Sequence, residues 1–344
     1  MRLKLARVMS THASCLLRQN CYWRIFDRGP SLSRGYCYKN RTNPDVAPSG
    51  IHNVQSIRAK WAEHFKYRNV PEAEVSAELI VAHVLGSKTL AGIASWQIVS
   101  KSKIDRINEL CALRLRRIPV QYVIKEWDFR DLVLEMQPPV LIPRPETEEL
   151  ITHIGNYQTI QDLSPPRRIL EIGCGSGAVI ISLAKEYPES FCMGLDQCAV
   201  ACELTRRNAM KHDTALSVKN IEFNDTTVEG EEVFQSKYDM IVSNPPYVPT
   251  IDLESLSPEI LQYEDVAGAL DGGQEGLDVI KSILRNASRI LTSDGLLWLE
   301  VDSTHPEAIK KLVEDNSHWN MKYIKTCKDF MNKSRFCLLS SNTV

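Results

Sequence analysis

The sequence predicts an α/β protein in which a small helical domain precedes a mostly parallel sheet wrapped by helices. Residues 54 to about 117 carry apolar side chains at helical spacing. From residue 167 onward, short apolar strands alternate with helical segments, a pattern typical of a parallel sheet covered on both faces. Two strand-like segments then end the chain, and their adjacency predicts an antiparallel hairpin.

Three segments make up the predicted helical part. The first begins near Val54, and the second starts near Pro71 and ends at Gly86, where proline and glycine are each favoured. The third begins at Ser102 and gathers arginines in its last turn, where cations face the negative end of the helix dipole. We interpret His83, which lies among apolar residues, as a packed side chain and not as a ligand.

The stretch from 118 to 146 differs from its surroundings. "IPVQYVIKEWDFRDLVLEMQPPVLIPRPE" shows an alternation typical of strands and then four prolines between 138 and 145. Prolines at this density predict a stiff connector. The resulting division has four parts, namely a basic leader at 1–41, a helical domain at 50–117, a connector with a β-hairpin and a Pro-rich segment at 118–150, and a sheet-containing domain at 151–344.

The sheet-containing domain can be divided into strands and helices. "RRILEIG", "FCMGLD", "IEFND", "YDMIVSN" and "GLLWLEVD" are predicted strands. "AVIISLAKEY", "AVACELTRRNAMKH" and residues 276–291 are predicted helices. "YIKTCKDF" and "RFCLLSS" form the predicted terminal hairpin.

The charge is unevenly distributed along the chain. Residues 1–41 hold nine Lys or Arg and one acid, Asp27, so they contribute +8. Because the whole chain has a net charge of -2, residues 42–344 carry -10. An Arg-rich leader without acids before Asp27 is typical of a mitochondrial transit peptide, and "SRGYC" resembles a processing site. A basic tail that contacts nucleic acid is the alternative.

Composition excludes several classes of protein. The length of 344 residues suits one large domain or two ordinary ones. Hydrophobic residues make up 43% of the chain, which is enough to form a core. The sequence contains no run of about 18 apolar residues, so we expect no membrane span. The ten cysteines contain no CxxC pair, so neither a zinc ribbon nor a thioredoxin-type site is predicted, and we expect no metal.

A glycine-rich loop follows the first predicted strand. In "EIGCGSGAV", Gly173, Gly175 and Gly177 let the backbone turn sharply and approach a ligand closely. The next helix would present free N–H groups there. Asp196 ends the second strand, where a carboxylate can bind both hydroxyls of a ribose. The pattern predicts a nucleoside-containing cofactor, although it also fits a dinucleotide fingerprint or a purely structural turn.

A rigid loop, "SNPPYV", follows the fourth predicted strand. Two successive prolines cannot continue a strand, so the chain must turn there. In open α/β sheets, ligands bind beyond the carboxyl ends of the strands. We therefore expect Asn244 to face the glycine loop and the cofactor. The alternative is a Pro-Pro turn capped by Asn244 without a functional role.

The motifs together resemble a known family. An acid before the glycines, Glu171 in E-x-G-x-G-x-G, is typical of S-adenosylmethionine-dependent methyltransferases. "NPPY" is shared by enzymes that methylate a planar NH2 group. With "PVQYVIKEWDF", "VLIPRPETEEL" and "YEDVAGALDGGQEGLDVI", the chain resembles the release-factor glutamine methyltransferases, the HemK/PrmC family, over about 50–340. The transit segment favours the mitochondrial member.

The resemblance implies a fold, a reaction and a set of site residues. The fold would be a Rossmann-like class I methyltransferase domain with a seven-stranded, mostly parallel sheet, an antiparallel C-terminal hairpin and a preceding helical domain that binds the substrate. The reaction would be N5-methylation of the glutamine in the Gly-Gly-Gln loop of a mitochondrial release factor in the matrix, with S-adenosyl-L-methionine as methyl donor. Expected cofactor-binding residues are Glu171, Gly173, Cys174, Gly175, Ser176, Gly177, Asp196, Asp225, Thr226 and Asn244. Expected catalytic residues are Asn244, Pro245 and Tyr247, and expected substrate-binding residues are Asn244, Pro245, Pro246 and Tyr247.

Two details stay open at this level. Asp225 ends the third predicted strand and could meet the adenine or cap the loop that follows. In "IPRPETEEL", Arg144, Glu146 and Glu148 could close over the site, or Thr147 could cap the next helix, with acids favourable in its first turn.

The sequence also departs from the family at three positions. Glycine is usual where Lys125 stands and common where Asn332 stands, and proline often occupies the position of Val266.

Two other functions were weighed against the leading hypothesis. A nucleic-acid amino-methyltransferase acting on adenine N6 or guanine N2 would use the same NPPY chemistry. It needs a basic surface, however, and residues 42–344 are acidic. An inactive cofactor-binding assembly protein would not need Asp196, Asn244 and Tyr247 together. We therefore expect a protein partner, with no direct nucleic acid and no membrane.

Overall fold

The computed structural model describes residues 52–342. They fall into two compact units, one ending at Ile124 and one beginning at Lys125. The transit segment predicted at 1–41 lies outside the described residues. Within residues 52–342, no helix is both long and apolar enough to cross a membrane.

The first unit is helical. Its helices are α1 (Val54–Tyr67), α2 (Ala73–Leu85), α3 (Lys101–Leu115) and α4 (Val120–Ile124). The Asn53 side chain accepts a hydrogen bond from the Ser56 N–H, and Ser56 bonds back to it, which caps the start of α1. Phe65, Ile80 and Ile107 are fully buried in one apolar core that the four helices share.

Helix α4 contradicts the strand-like alternation expected from residue 118. Tyr122 and Val123 both donate backbone hydrogen bonds to the Pro119 carbonyl, so a helical turn begins there. Val120, Val123 and Ile124 are buried at helical spacing in the core of the first unit. The helical unit therefore extends to Ile124, beyond the predicted end at 117. The assignment of the domains themselves stays a prediction.

The second unit begins with a β-hairpin formed by β1 (Glu126–Phe129) and β2 (Leu132–Glu135). The hairpin that was predicted within the connector thus belongs to the sheet-containing unit. The Asn208 side chain accepts from the Glu135 N–H at 2.6 Å and donates to the Glu135 carbonyl at 3.2 Å, which fixes the hairpin to that unit.

A seven-stranded sheet forms the centre of the second unit, in the order β5-β4-β3-β6-β7-β9-β8. Its strands are β3 (Arg168–Ile172), β4 (Phe191–Asp196), β5 (Ser217–Asn220), β6 (Tyr238–Ser243), β7 (Leu291–Glu300), β8 (Met321–Lys328) and β9 (Ser334–Ser341). The first five are parallel, whereas β9 pairs antiparallel with both β7 and β8. The predicted class I methyltransferase fold with its C-terminal hairpin is confirmed.

The helices of the second unit flank this sheet. They are α5 (Thr147–Ile160), α6 (Ala178–Glu186), α7 (Ala199–Lys211), α8 (Asp225–Gly230), α9 (Pro258–Tyr263), α10 (Val266–Ala269), α11 (Asp278–Ile290) and α12 (Pro306–Asp315), with 3-10 turns at Glu232–Phe234, Thr250–Ser255 and Ser317–Trp319. Tyr238, Ile283 and Leu299 are among the buried side chains that join the sheet to its helices in the main core.

The third predicted strand, "IEFND", is misplaced. The strand runs through Ser217–Asn220, and Asn224 instead caps α8 by accepting from the Thr227 N–H at 3.0 Å. Capping chemistry at Asn224 therefore outweighs the strand propensity of the apolar residues before it.

Two of the family departures share one backbone conformation. Lys125 has φ +60° and Asn332 has φ +63°, both in the left-handed region that glycine adopts most readily. The chain keeps the glycine-type turn at both positions. Asn332 is the easier substitution, because asparagine tolerates this region better than lysine does.

Candidate active site

The glycine loop joins β3 to α6 at the carboxyl edge of the sheet. Gly173, Gly175 and Gly177 have φ values of +78°, +54° and +84°. A Cβ atom at Gly173 or Gly175 would meet nothing within 4 Å, so both face open space. A Cβ at Gly177 would come within 2.9 Å of Ile181 and 3.0 Å of Thr205. The first two glycines leave room for a ligand, and the third permits close packing.

Most N–H groups of this loop already have partners. Those of Gly173 and Cys174 donate to the Leu195 carbonyl at 2.8 and 2.9 Å, and that of Gly177 donates to the Cys174 carbonyl at 2.7 Å. The buried Ser176 accepts from the Asn208 side chain through its carbonyl at 2.9 Å. The loop is therefore a preformed backbone cradle.

Glu171 lies behind the loop and does not line it. Its side chain is buried, its Oε2 accepts from the Ile180 N–H at 2.8 Å, and burial raises its pKa well above the ordinary value. Contrary to expectation, the start of α6 thus does not offer all its N–H groups to a ligand. The N–H of Ile180 is therefore bound from within the protein and is not available to a ligand.

Asp196 ends β4 beside the cradle. Its Oδ2 accepts from the Gly175 N–H and its Oδ1 from the Cys198 N–H, both at 2.8 Å. Burial raises its pKa, and the two backbone hydrogen bonds oppose that effect. A carboxylate has about four lone-pair sites, so two remain for the hydroxyls of a ribose. Asp196 thus both shapes the loop and can bind the cofactor.

Asp225 pairs with side chains of α11. Its carboxylate accepts from the Arg285 Nη1 at 2.6 Å and from the Asn286 Nδ2 at 2.5 Å, and these two bonds lower its pKa. The side chain is turned toward α11, because a cation and an amide satisfy it there. Thr226, the other predicted residue of this segment, is exposed in the first turn of α8. Its predicted contact with the cofactor stays a prediction.

The NPPY loop emerges next to the glycine loop. Strands β3 and β6 are parallel, with Ile172 beside Ser243, so Gly173 and Asn244 leave the sheet side by side. The Ser243 hydroxyl donates to the Ile172 carbonyl at 2.7 Å and joins the two strand ends. Asn244 is half-buried, and Pro245 behind it is buried. The expected juxtaposition of cradle and amide loop is present.

Pro246 and Tyr247 complete the loop, and both are half-buried. The Tyr247 ring packs against the main core of the sheet. Burial raises the pKa of Tyr247, and the charge of Glu300 adds to that effect. The hydroxyl is therefore protonated at neutral pH and can serve only as a neutral hydrogen-bonding group. Its predicted packing on a substrate amide stays a prediction.

The "IPRPETEEL" segment reaches the same edge of the sheet. The Arg144 Nη2 donates to both oxygens of the nearly fully buried Glu264 carboxylate, at 3.0 and 2.8 Å, so the segment is tied to the "YED" motif. Glu148 lies in the first turn of α5, where an acid is favourable. Thr147 does not cap the helix, which was one of the two alternatives for this segment, because the cap position belongs to Glu146. Its hydroxyl instead accepts from the Asn244 Nδ2 at 3.4 Å.

The sequence reasoning did not identify Glu300 as a site residue. It ends β7, the strand beside β6, and is only 1% exposed. Burial raises its pKa to about 7, a hydrogen bond from Thr147 lowers it, and Glu146 raises it further. The available signal was its place in "GLLWLEVD", an acid at the carboxyl end of an apolar strand, where α/β sheets bind their ligands.

Two family models match the chain. The PrmC N-terminal domain matches residues 56–124, and the methyltransferase small domain matches residues 152–260. The first range coincides with the helical unit, and the second includes the glycine loop, Asp196 and the NPPY loop.

Individual relatives extend this similarity. The human MTRF1L release factor glutamine methyltransferase is 39% identical over 88% of this chain and 92% of its own length. The chain belongs to the release factor glutamine methyltransferases. Bacterial members include those of Fusobacterium nucleatum, 33% identical over 80% of this chain and 75% of that protein, and of Geobacter sulfurreducens, 32% identical over 70% of this chain and 81% of that protein.

Family membership makes S-adenosylmethionine the cofactor of this methyltransferase, and the geometry fits it. Gly173 and Gly175 face open space, and Asp196 keeps acceptor sites for the hydroxyls of a ribose.

Proposed function

We propose that this enzyme N5-methylates the glutamine of the Gly-Gly-Gln loop of a mitochondrial peptide chain release factor and so acts in translation termination. The observation that carries the proposal is the position of Asn244, which leaves the sheet beside the open glycine cradle. The family adds the protein substrate, since its members are named release factor glutamine methyltransferases.

The chemical difficulty is the weak nucleophilicity of an amide nitrogen, whose lone pair is shared with the carbonyl. The rotation barrier of roughly 18–20 kcal/mol in an amide reflects that sharing. When bound, S-adenosylmethionine supplies an electrophilic methyl group, and the electron pair of the broken S–C bond returns to sulfur. The protein must bring the nitrogen lone pair into line with that methyl.

The NPPY loop can do this with two fixed acceptors. The Asn244 Oδ1 and the Pro245 carbonyl would accept hydrogen bonds from the two N–H groups of the substrate amide and hold its nitrogen toward the cradle. Two prolines keep these acceptors rigid, so little reorganisation is needed in the transition state. Pro246 and Tyr247 would line the site of the flat amide. The nitrogen forms the new N–C bond and then releases one proton to water.

The charge of the chain suits a basic protein partner. Residues 42–344 carry -10, and a release factor that works on RNA would present positive surface. Complementary charge speeds encounter more than it adds affinity. We assign the helical domain, predicted at 50–117, to binding the factor remotely from the reacting amide, which can help to orient that amide.

The transit peptide proposed for residues 1–41 would deliver the enzyme to the mitochondrial matrix. Its basic, acid-poor composition supports this assignment. Fusion of these residues to a fluorescent protein should direct it to mitochondria, whereas a cytosolic signal would contradict the assignment.

The decisive experiment is transfer of labelled methyl groups by the purified protein. We expect methylation of an intact release factor, none of its Gln→Ala loop variant, and poor methylation of a short loop peptide. Mapping by mass spectrometry should place the methyl group on the glutamine side chain. Methylation of DNA or ribosomal RNA, with none on the factor, would instead support the nucleic-acid alternative.

A further inference from the structure

The tail of the NPPY loop is bound to residues 270–276, which we call the anchor loop. The Val248 N–H donates to the Leu270 carbonyl, and the Val248 carbonyl accepts from the Gly272 N–H, both at 2.9 Å. Val248 and Asp271 thereby pair as a short parallel bridge. The anchor loop lies in the motif "YEDVAGALDGGQEGLDVI", to which the proposed function gives no role.

Thr250 adds a third backbone hydrogen bond and a side-chain contact to this attachment. Its N–H donates to the Gly273 carbonyl at 2.9 Å. Its hydroxyl donates to the Asp271 Oδ1 at 2.7 Å, and the same oxygen accepts from the Gly273 N–H at 2.9 Å. Asp271 therefore joins the tail of the NPPY loop to the middle of the anchor loop.

Two buried glycines bring the anchor loop into backbone contact with Tyr247. A Cβ atom on Gly272 would lie 2.8 Å from the Cα, the carbonyl carbon and the oxygen of Gly276. A Cβ atom on Gly276 would collide with the Tyr247 carbonyl oxygen and lie 3.0 Å from the His305 ring. Because His305 is itself buried at the cap position of α12, Gly276 has no room to move back from Tyr247.

We propose that the anchor loop positions the NPPY loop for methyl transfer, with Gly276 and Asp271 as positioning residues. Gly276 sets the distance between the anchor loop and Tyr247, and Asp271 holds Thr250. The proposal rests on the function proposed above, which gives the NPPY loop the role of accepting hydrogen bonds from the substrate amide.

The NPPY loop is held at both ends. At its start, the Ser243 hydroxyl donates to the Ile172 carbonyl at 2.7 Å, and at its tail the anchor loop binds Val248. Residues 244–247 lie between these two attachments and include two prolines, whose φ angles are fixed. A shift of the tail is therefore passed on to the Asn244 amide. A misplacement of about 1 Å in such a group can lower the rate about 10²-fold.

The first test compares two glycine variants of the anchor loop in the full-length protein, with the release factor as substrate. Gly276 and Gly273 have φ values of +71° and +84°, so Gly276→Ala and Gly273→Ala share the strain of a positive φ. The new Cβ atom of Gly273→Ala meets the carboxylate of Asp278, an exposed side chain that can rotate away. That of Gly276→Ala meets the Tyr247 backbone, which can move only with the NPPY loop.

We expect Gly276→Ala to lose about 10²-fold in kcat, while its affinity for S-adenosylmethionine stays at the wild-type value. Gly273→Ala should keep most of its kcat, although both variants should unfold at a lower temperature than the wild type. Equal losses of kcat in the two variants would overturn the proposal, because they would reflect strain in the anchor loop and not the position of Tyr247.

Asp271→Ala provides a second test that does not depend on a buried residue. It removes the acceptor shared by Thr250 and Gly273, so kcat should fall about three- to tenfold, with less change in the KM for the factor. Asp271→Asn keeps an oxygen at the same position and should restore most of kcat. The control is Asp239→Ala, which removes the acceptor of two N–H groups at the other end of β6 and should leave kcat unchanged. A wild-type kcat in Asp271→Ala would also overturn the proposal.

Hydrogen exchange tests the attachment without a substrate. Relative to the N–H groups of the sheet, those of Val248 and Thr250 should exchange faster in Gly276→Ala than in Gly273→Ala and the wild type. If they do, but the wild type methylates no release factor, the attachment stands and the substrate assignment fails. Unchanged exchange of both groups in Gly276→Ala would contradict the role of the anchor loop.

Discussion

The candidate site has a cofactor-binding half and a substrate-binding half, and the two are built from different groups. The cofactor half is a backbone structure, in which Gly173 and Gly175 leave open space and the N–H groups of Gly173 and Cys174 are bound by the Leu195 carbonyl. The substrate half depends on side chains, since Asn244 contacts Thr147 and Arg144 pairs with Glu264. The backbone half is determined locally in the sequence. The side-chain half requires partners that lie far apart in the chain.

This difference suggests a division of labour. A backbone cradle is preorganised when the loop folds, so it can bind a cofactor whose shape does not vary. The substrate half must hold an amide oxygen in one of two nearly equal orientations, and only directed hydrogen bonds can make that choice. We therefore expect changes in the cradle to alter cofactor affinity, and changes in the substrate half to alter the rate.

The largest effect on rate is expected for Asn244→Ala. The variant should bind S-adenosylmethionine normally and lose about 10²–10³ in the single-turnover rate, the usual cost of removing one preorganised polar group. Calorimetry and rapid-quench measurements with saturating release factor would separate the two effects. Asn316→Ala, which removes an amide bonded to the Leu312 carbonyl outside the site, is the control. A near-normal rate in Asn244→Ala would contradict the expectation that the substrate half determines the rate.

Glu300→Gln should stabilise the protein above neutral pH. The pKa of Glu300 rises from its ordinary value of 4.5 to about 7, so folding favours the protonated form. That contribution is full below pH 4.5 and is lost as pH rises through 7, where the buried carboxylate ionises. The cost above pH 7 is on the order of 3 kcal/mol. Denaturant unfolding should show that the free energy of unfolding of the variant increases relative to that of the wild type as pH rises. A difference that does not change with pH would contradict ionisation of a buried carboxylate.

Asp196→Ala tests the one side chain on which the cofactor half depends. It should weaken S-adenosylmethionine binding, because each charge-assisted ribose bond is worth about 1.5–3 kcal/mol. The variant also loses the acceptor for the Gly175 N–H, so the cradle should loosen. Asp196→Asn keeps one acceptor oxygen, so its affinity for S-adenosylmethionine should lie between those of Asp196→Ala and the wild type. Unchanged affinity in calorimetry would remove Asp196 from the site.

Two glycines sharpen the comparison within the cradle. Gly173→Ala and Gly177→Ala share the strain of a positive φ, roughly 1–2 kcal/mol. Only the second adds close contacts, with Ile181 and Thr205, whereas the first fills open space where the cofactor would lie. Thermal unfolding should therefore show that Gly177→Ala is the less stable variant. Calorimetry should show that Gly173→Ala loses more affinity for S-adenosylmethionine relative to its loss of stability. If Gly173→Ala were the less stable variant and kept its affinity, the open space at Gly173 would not be a cofactor site.

The positions of Gly173, Asp196 and Asn244 beyond strand ends could be predicted because their signals are local. Glycine spacing, the acid after a short apolar strand and the Pro-Pro turn each depend on neighbouring residues. The side-chain contacts of the substrate half escaped prediction because Thr147 and Asn244 are 97 residues apart, and Arg144 and Glu264 are 120 apart. No periodicity connects such positions. For Thr147, the neighbouring residues suggest only the alternative of a helix cap.

Local signals also failed where two of them competed. Residues 118–124 carry branched and aromatic side chains typical of strands, yet they fold as α4, because burial at helical spacing decides the outcome. At "IEFND", the cap formed by Asn224 ended the strand before the apolar residues. Tertiary packing in the first case and capping in the second outweighed intrinsic propensity.

The smallest effect is expected for Asp225→Ala, which lies outside both halves. The sequence suggested an adenine contact, but the structure pairs this half-buried carboxylate with Arg285 and Asn286. Loss of a largely solvated pair costs about 0.2–1 kcal/mol, so the free energy of unfolding should change only slightly. The affinity for S-adenosylmethionine should stay at the wild-type value, in contrast to Asp196→Ala. Calorimetry on both variants under one set of conditions decides the matter. A comparable loss of affinity in both would show that Asp225 turns toward the adenine when the cofactor binds, and the cofactor half would then depend on a second side chain.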